Sequence, residues 1–133
     1  MDYAILQTEL LAGHPGTGAY NVDDALATNE INAVNRTVNK NTTPEEAANA
    51  TDATEFNALL AEDKDLWVSI LGWATLNLNE GIGLATATGI WAGAAGTITR
   101  PALIATRTTI VSRATELNLE FVTVGDIQNA RAL

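Results

Sequence analysis

The chain has 133 residues, with 16 acidic against 7 basic side chains for a formal net charge of -9, no Cys, one His and three Trp. One domain is expected at that length, with enough chain to bury a core, although a partner surface could supply part of it. The missing Cys excludes disulfides, thiolate metal sites, thiol nucleophiles and Fe–S clusters, the single His argues against zinc or iron sites, and a sequence pI near 4.3 argues against an ordinary nucleic-acid binder, whose affinity comes from cations on phosphates.

The first residues, Met1-Asp2-Tyr3-Ala4-Ile5-Leu6, lack the basic flank and long apolar run of a signal peptide, so the chain reads as intracellular. Residues 2–12 carry Ala4, Ile5, Leu10 and Leu11, with Gly13 just beyond, and predict a short helix with a stop. Gly13-His14-Pro15-Gly16-Thr17-Gly18 combines Pro with three Gly and reads as a loop. From Asn21 or Val22 to about Val38, Ala27, Ile31, Val34 and Val38 keep one apolar stripe, and Asp23 and Asp24 suit a first turn, so a helix is expected throughout.

Thr43-Pro44-Glu45-Glu46 matches a capping box with Pro at the first helical position, and predicts a short helix through Ala50. Asp52-Ala53-Thr54-Glu55 repeats the start signal at once, so the chain must turn near Thr51. Residues 63–74, with Leu66, Trp67, Ile70, Leu71 and Trp73, predict a largely buried core helix behind an acid-rich entrance. Residues 81–99 hold no charge and have about the length of a membrane span, yet Gly, Ala and Thr fill them, so a helix over 82–92 and a turn at Gly93–Gly96 are expected instead.

Thr99 is placed to cap a long helix from Arg100 to Leu117, with Leu103, Ile110, Ala114 and Leu117 on one stripe. Arg107 falls inside that stripe, so it must reach solvent or meet an acceptor, either a carboxylate of its own domain or one on a neighbouring subunit. Arg100 and Arg113 share that helix and the same two alternatives, in a chain with only Lys40 and Lys64 besides five Arg. After Asn118, Leu119-Glu120-Phe121-Val122-Thr123-Val124 alternates and carries β-branched residues, which predicts an extended piece before a last short helix capped at Thr123.

Motifs of chemistry are weak. There is no phosphate loop with Lys, no nucleophile elbow, no metalloprotease His pair and no calcium loop; Gly81-Ile82-Gly83 lacks the third Gly of a dinucleotide turn. His14 has no fixed partner legible nearby, and the acid pairs Asp23-Asp24 and Glu45-Glu46 are explained by capping, so no catalytic residue, metal or cofactor is expected. Three glycosylation sequons, at Asn35, Asn41 and Asn49, fit chance in a chain so rich in Asn and Thr.

Several stretches form a distinctive set: Asp23-Asp24-Ala25-Leu26 through Asn32-Ala33-Val34-Asn35-Arg36-Thr37; Ala53-Thr54-Glu55-Phe56-Asn57-Ala58-Leu59 with Leu66-Trp67-Val68-Ser69; Val111-Ser112-Arg113-Ala114-Thr115-Glu116-Leu117; and Val122-Thr123-Val124-Gly125-Asp126-Ile127 with Ala130-Arg131. Together they resemble a family of small proteins of tailed bacteriophages associated with the siphophage neck, as head-to-tail adaptors or connectors. The resemblance covers most of the chain beyond residue 20; residues 72–92 depart from it, being richer in Gly, Ala and Thr.

The resemblance implies a non-enzymatic virion protein, located in the neck, whose ring of identical subunits sits beneath the portal, passes DNA without sequence-specific binding and meets a stopper or tail protein. A tail terminator, a stopper, a capsid cement protein, a small enzyme and a membrane-active accessory protein are the alternatives. The expected fold is all-α, a bundle of about five to seven helices with residues 1–118 as core and 119–133 as an extended segment and short helix, either a docking arm or a tail folded onto its own core. Phe121, Val122 and Ile127 are its expected apolar anchors for portal or subunit, with Arg107 and Arg113 as further interface candidates.

Overall fold

Side-chain caps set where most helices begin. Asp2 caps α1 (Tyr3–Ala12), Asp23 caps α2 (Asp24–Asn32), Thr43 caps α3 (Pro44–Ala50) and Asp52 caps α4 (Ala53–Ala58), each accepting from backbone N–H groups that a helix start leaves free. Helices α5 (Ala61–Leu71) and α6 (Gly81–Ile90) follow, then a 3-10 turn over Gly93–Gly96 and α7 (Thr99–Thr106). Ser112 caps the single turn of α8 (Arg113–Glu116), and a Thr123–Asp126 capping box opens α9 (Val124–Ala132). The structure, a computed structural model describing residues 1–133, is thus mainly helical, with nine α-helices and one two-stranded sheet of β1 (Val34–Asn39) and β2 (Thr108–Ser112).

Both strands replace expected helix. The helix expected to run to Val38 ends at Asn32, and the helix expected over 100–117 breaks into α7, β2 and α8. Thr108-Thr109-Ile110-Val111 is a run of four β-branched residues, which lose side-chain freedom in a helix and pack well on a pleated surface. The N–H of Lys40, just past β1, donates to the C=O of Arg107, just before β2, as in an antiparallel pair. Thr99 does not cap α7. Its N–H donates to Glu55 at 2.7 Å and its hydroxyl accepts from the N–H of Asp52.

The contacts divide the chain into two compact units, Met1–Val38 with Ile110–Leu133, and Asn39–Thr109, so the division falls inside each strand rather than at residue 118. In unit 1, Leu6, Tyr20, Ala27, Ile31, Ala114, Leu119, Val122, Ile127 and Ala130 form the core, to which α1, α2 and α9 contribute most. Residues 119–133 are part of that core rather than an arm. The extended piece at Val122 is held by one side chain: Asn32 Oδ1 accepts the Val122 N–H at 3.1 Å, and Asn32 Nδ2 donates to the Val122 C=O at 2.7 Å. A buried backbone pair is thereby satisfied without a strand partner.

In unit 2 the core is built on two Trp rings, Trp67 and Trp91, edge to face at 5.5 Å, surrounded by Leu59, Ile70, Leu76, Leu78, Ile90 and Leu103. Trp67 Nε1 donates to Thr51 Oγ1 at 3.0 Å, fixing the turn between α3 and α4. The stripe of α5 is narrower than expected: Trp67 and Ile70 are buried, whereas Leu66 and Val68 are exposed, and Trp73, also exposed, lies beyond the end of the helix. Two glycines permit close packing, since a Cβ at Gly83 would strike the Asn77 carbonyl and one at Gly96 the Trp91 carbonyl. No helix is long and apolar enough to cross a membrane; α6 stops at Trp91, and Gly93 has a positive φ.

Candidate functional site

The five residues expected at an interface do not come together. Val122 and Ile127 are fully buried in unit 1, so neither can anchor a partner without unfolding. Phe121, just before Val122, points the other way and is 74% exposed. It lines a groove with Val34 and Ile110, which are 68% and 60% exposed, and with Glu120 at one side. Helical periodicity placed Val34 and Ile110 on buried stripes. As strand residues they instead form an exposed apolar patch with Phe121, all within unit 1.

Arg113 belongs to a partly buried polar network centred on the buried Glu9. Its Nε and Nη2 donate to Glu9 Oε1 and Oε2 at 2.8 and 2.9 Å, a two-pronged pair, and its Nη1 lies 3.0 Å from Glu116. Arg36 on β1 completes the chain of charges with Glu116 at 2.8 Å. Tyr20 donates its hydroxyl to Glu9 at 2.9 Å. Burial raises the pKa of Glu9, yet the Arg113 and Tyr20 hydrogen bonds outweigh it and hold the carboxyl below its ordinary range. Burial and the Glu9 carboxylate push the Tyr20 hydroxyl up, so it stays a donor. The Arg36 and Arg113 guanidiniums lower Glu116 to about 2 against burial.

His14 sits beside this network and is buried, contrary to the partnerless loop residue expected. Its Nδ1 accepts from the N–H groups of Gly16 and Thr17 at 2.9 and 3.2 Å, which closes the loop, and its ring stands edge-on to Tyr20. With Nδ1 an acceptor, the neutral ring carries its proton on Nε2, where it has no partner. Glu9 spends both oxygens on Arg113 and Tyr20, so the cluster acts as a brace tying α1, the 13–20 loop and α8. Sequence showed neither Glu9 nor Tyr20 as its members, because Arg113 and Glu9 meet across 104 positions.

Arg107 lies in unit 2, on an apolar cleft lined by Leu84, Trp91, Leu103 and Ile104, and forms no ion pair. A second polar arrangement in this unit is a brace too. The Glu55 carboxylate accepts from Thr97 Oγ1 and from the N–H groups of Ile98 and Thr99, so α4 caps the start of α7. Burial would raise its pKa, but the Ile98, Thr99 and Thr97 hydrogen bonds bring it down to about 2. No group of three or more His, Asp or Glu side chains is placed to hold a metal ion. No protein-family model matches the chain, and no curated protein or solved structure matches it either.

Proposed function

We propose that the chain is a structural subunit of a tailed-bacteriophage neck, a head-to-tail adaptor that forms a ring between the portal and the stopper or tail proteins. The resemblance of four stretches of the sequence to that family supplies the class. The single structural observation that supports it is the exposed Val34–Ile110–Phe121 patch on a folded unit, since contiguous apolar surface of that kind marks a contact with another protein. The acidic balance suits a conduit, because a negative wall repels the DNA backbone and lets it pass. In this role the Glu9, Tyr20 and Arg113 side chains serve to hold the subunit's shape, and the patch to place it.

The test is the copy number of this protein relative to the portal in purified virions, by quantitative mass spectrometry. A ratio of about one is expected for an adaptor ring matched to the portal's symmetry. About half would replace the adaptor by a stopper or terminator, and a many-fold excess by a cement protein. Absence from the particle would overturn the structural role altogether.

A further inference from the structure

Four of the chain's seven cations, Arg36, Lys40, Arg113 and Arg131, pair with carboxylates. Two of the remaining three, Arg100 and Arg107, stand at one cleft of unit 2, in a chain with 16 acids available. Arg100 donates through Nη1 to the carbonyls of Trp91 and Gly93, which fixes the guanidinium and leaves its other nitrogens free. The wall of this cleft is apolar, from Leu84, Trp91 and Leu103, around a space of about 110 Å³. That is room on the scale of one ring or branched side chain. Trp91 is 1% exposed, and its Nε1–H has no acceptor. A fixed cation and a free cation beside an apolar wall describe a receptor for a carboxylate next to an apolar group.

We propose that the occupant is Glu120–Phe121 of a second copy of this chain, with the ring in the cleft and the carboxylate on Arg107. Phe121 is the only aromatic side chain more than half exposed. Its neighbour Glu120 is exposed and makes no ion pair or side-chain hydrogen bond within its own chain. The segment from Asn118 to Thr123 is neither helix nor strand, so the two side chains can be presented together. Other exposed acid–apolar neighbours fit less well. Asp23 beside Val22 is committed to capping α2, and Asp65 and Leu66 are consecutive on α5 and face different sides of it. Because every copy carries the donor on unit 1 and the receptor on unit 2, a pair that uses each once leaves the others free to repeat the contact from copy to copy, closing a ring or extending a filament. The contact rests on the subunit reading above and names the surfaces that reading needs.

Sedimentation of the full chain tests it. Phe121→Asp keeps the cleft and loses the ring; Arg107→Glu keeps Glu120–Phe121 and loses the receptor. The wild-type chain is expected to self-associate, and each variant alone to do so about 10-fold or more weakly, as for loss of a central contact residue. Mixed in equal amounts, the two variants are expected to form a dimer that grows no further, because one brings an intact cleft and the other an intact Phe121. Glu120→Arg combined with Arg107→Glu should restore association. A monomeric wild type, variants that assemble normally, or a mixture that stays monomeric would each overturn the contact. A shift of the Trp91 indole N–H signal with 3-phenylpropionate in a wild type that stays monomeric would assign the cleft to a small organic acid instead. Virion copy number does not depend on this contact, so loss of the contact and loss of the neck reading are separable.

Discussion

The two units are held by different physics. Unit 1 is braced by charge: Glu9, Arg113, Glu116 and Arg36 run through it as one network, and Arg131 adds a pair with Asp24. Unit 2 has a single ion pair, Lys40–Glu46, and is organised around two Trp rings, two close-packed glycines and helix starts capped by Thr43, Asp52 and Glu55. A packed apolar cluster responds mainly to lost volume, whereas a buried ion network responds to any event that leaves one charge without its partner. The same kind of substitution should therefore give different signatures in the two units.

The largest expected effect is in unit 2. Trp67→Ala removes a fully buried ring, its edge-to-face contact with Trp91 and the donor to Thr51, and should cost about 3–5 kcal/mol in denaturant unfolding, with little dependence on pH. A loss below about 1 kcal/mol would mean that the Trp pair is not the centre of this core.

Arg113→Met sharpens the contrast. It leaves Glu9 buried without its cation, and should cost toward the lower end of about 3–5 kcal/mol, since Arg113 keeps some contact with solvent that screens the pair. Its sign with pH separates it from Trp67→Ala. In the wild type Glu9 sits below its ordinary pKa, so its stabilising effect is complete above that value and fades as pH falls. In the variant only the Tyr20 hydrogen bond is left to oppose burial, so the Glu9 pKa rises and protonation relieves the strain. The difference from wild type should shrink on going from neutrality to about pH 4, and a constant difference would refute the network account.

A milder acid effect should appear in both units of the unmodified chain. Glu116 in unit 1 and Glu55 in unit 2 are each lowered from 4.5 to about 2, so their contributions are complete above 4.5 and disappear as pH falls toward 2. Glu55→Gln should flatten that decline for the start of α7, followed by amide hydrogen exchange of Ile98 and Thr99. Unchanged protection at those two amides would show that Glu55 does not cap α7.

What the sequence disclosed follows from the range of each interaction. The starts at Thr43, Asp52 and Thr123 were legible because a cap and the N–H that donates to it lie within three positions. The strands were not, because Ala27, Ile31, Val34 and Val38 satisfy helical spacing whether or not the chain is helical beyond Asn32. The β-branched run Thr108–Val111 was the available signal against the long second helix, and the apolar stripe of its neighbours hid it. Of the interface candidates, Phe121 was legible as an apolar residue in a non-helical stretch. That it faces out while Val122 and Ile127 face in depends on Asn32, which is 90 positions away. The Glu9–Tyr20–Arg113 brace is equally non-local, and charge counting could show only that Arg needed partners.

The smallest expected effect is a matched pair of cap removals, one in each unit. Thr43→Ala and Thr123→Ala each delete a hydroxyl that accepts the N–H of the third helical residue, and each should cost about 1 kcal/mol. In both cases the reciprocal half of the box has a second anchor. Glu46 is held by Lys40 at 2.7 Å, and Asp126 accepts the Tyr3 hydroxyl at 3.0 Å. If caps are local, the two losses should agree within a few tenths of a kcal/mol although one unit is braced by charge and the other by Trp rings. A Thr123→Ala loss well above that of Thr43→Ala would show the cap acting through Asp126 on the α1–α9 contact, so that unit 1 is held partly from its last helix as well as from its buried charges.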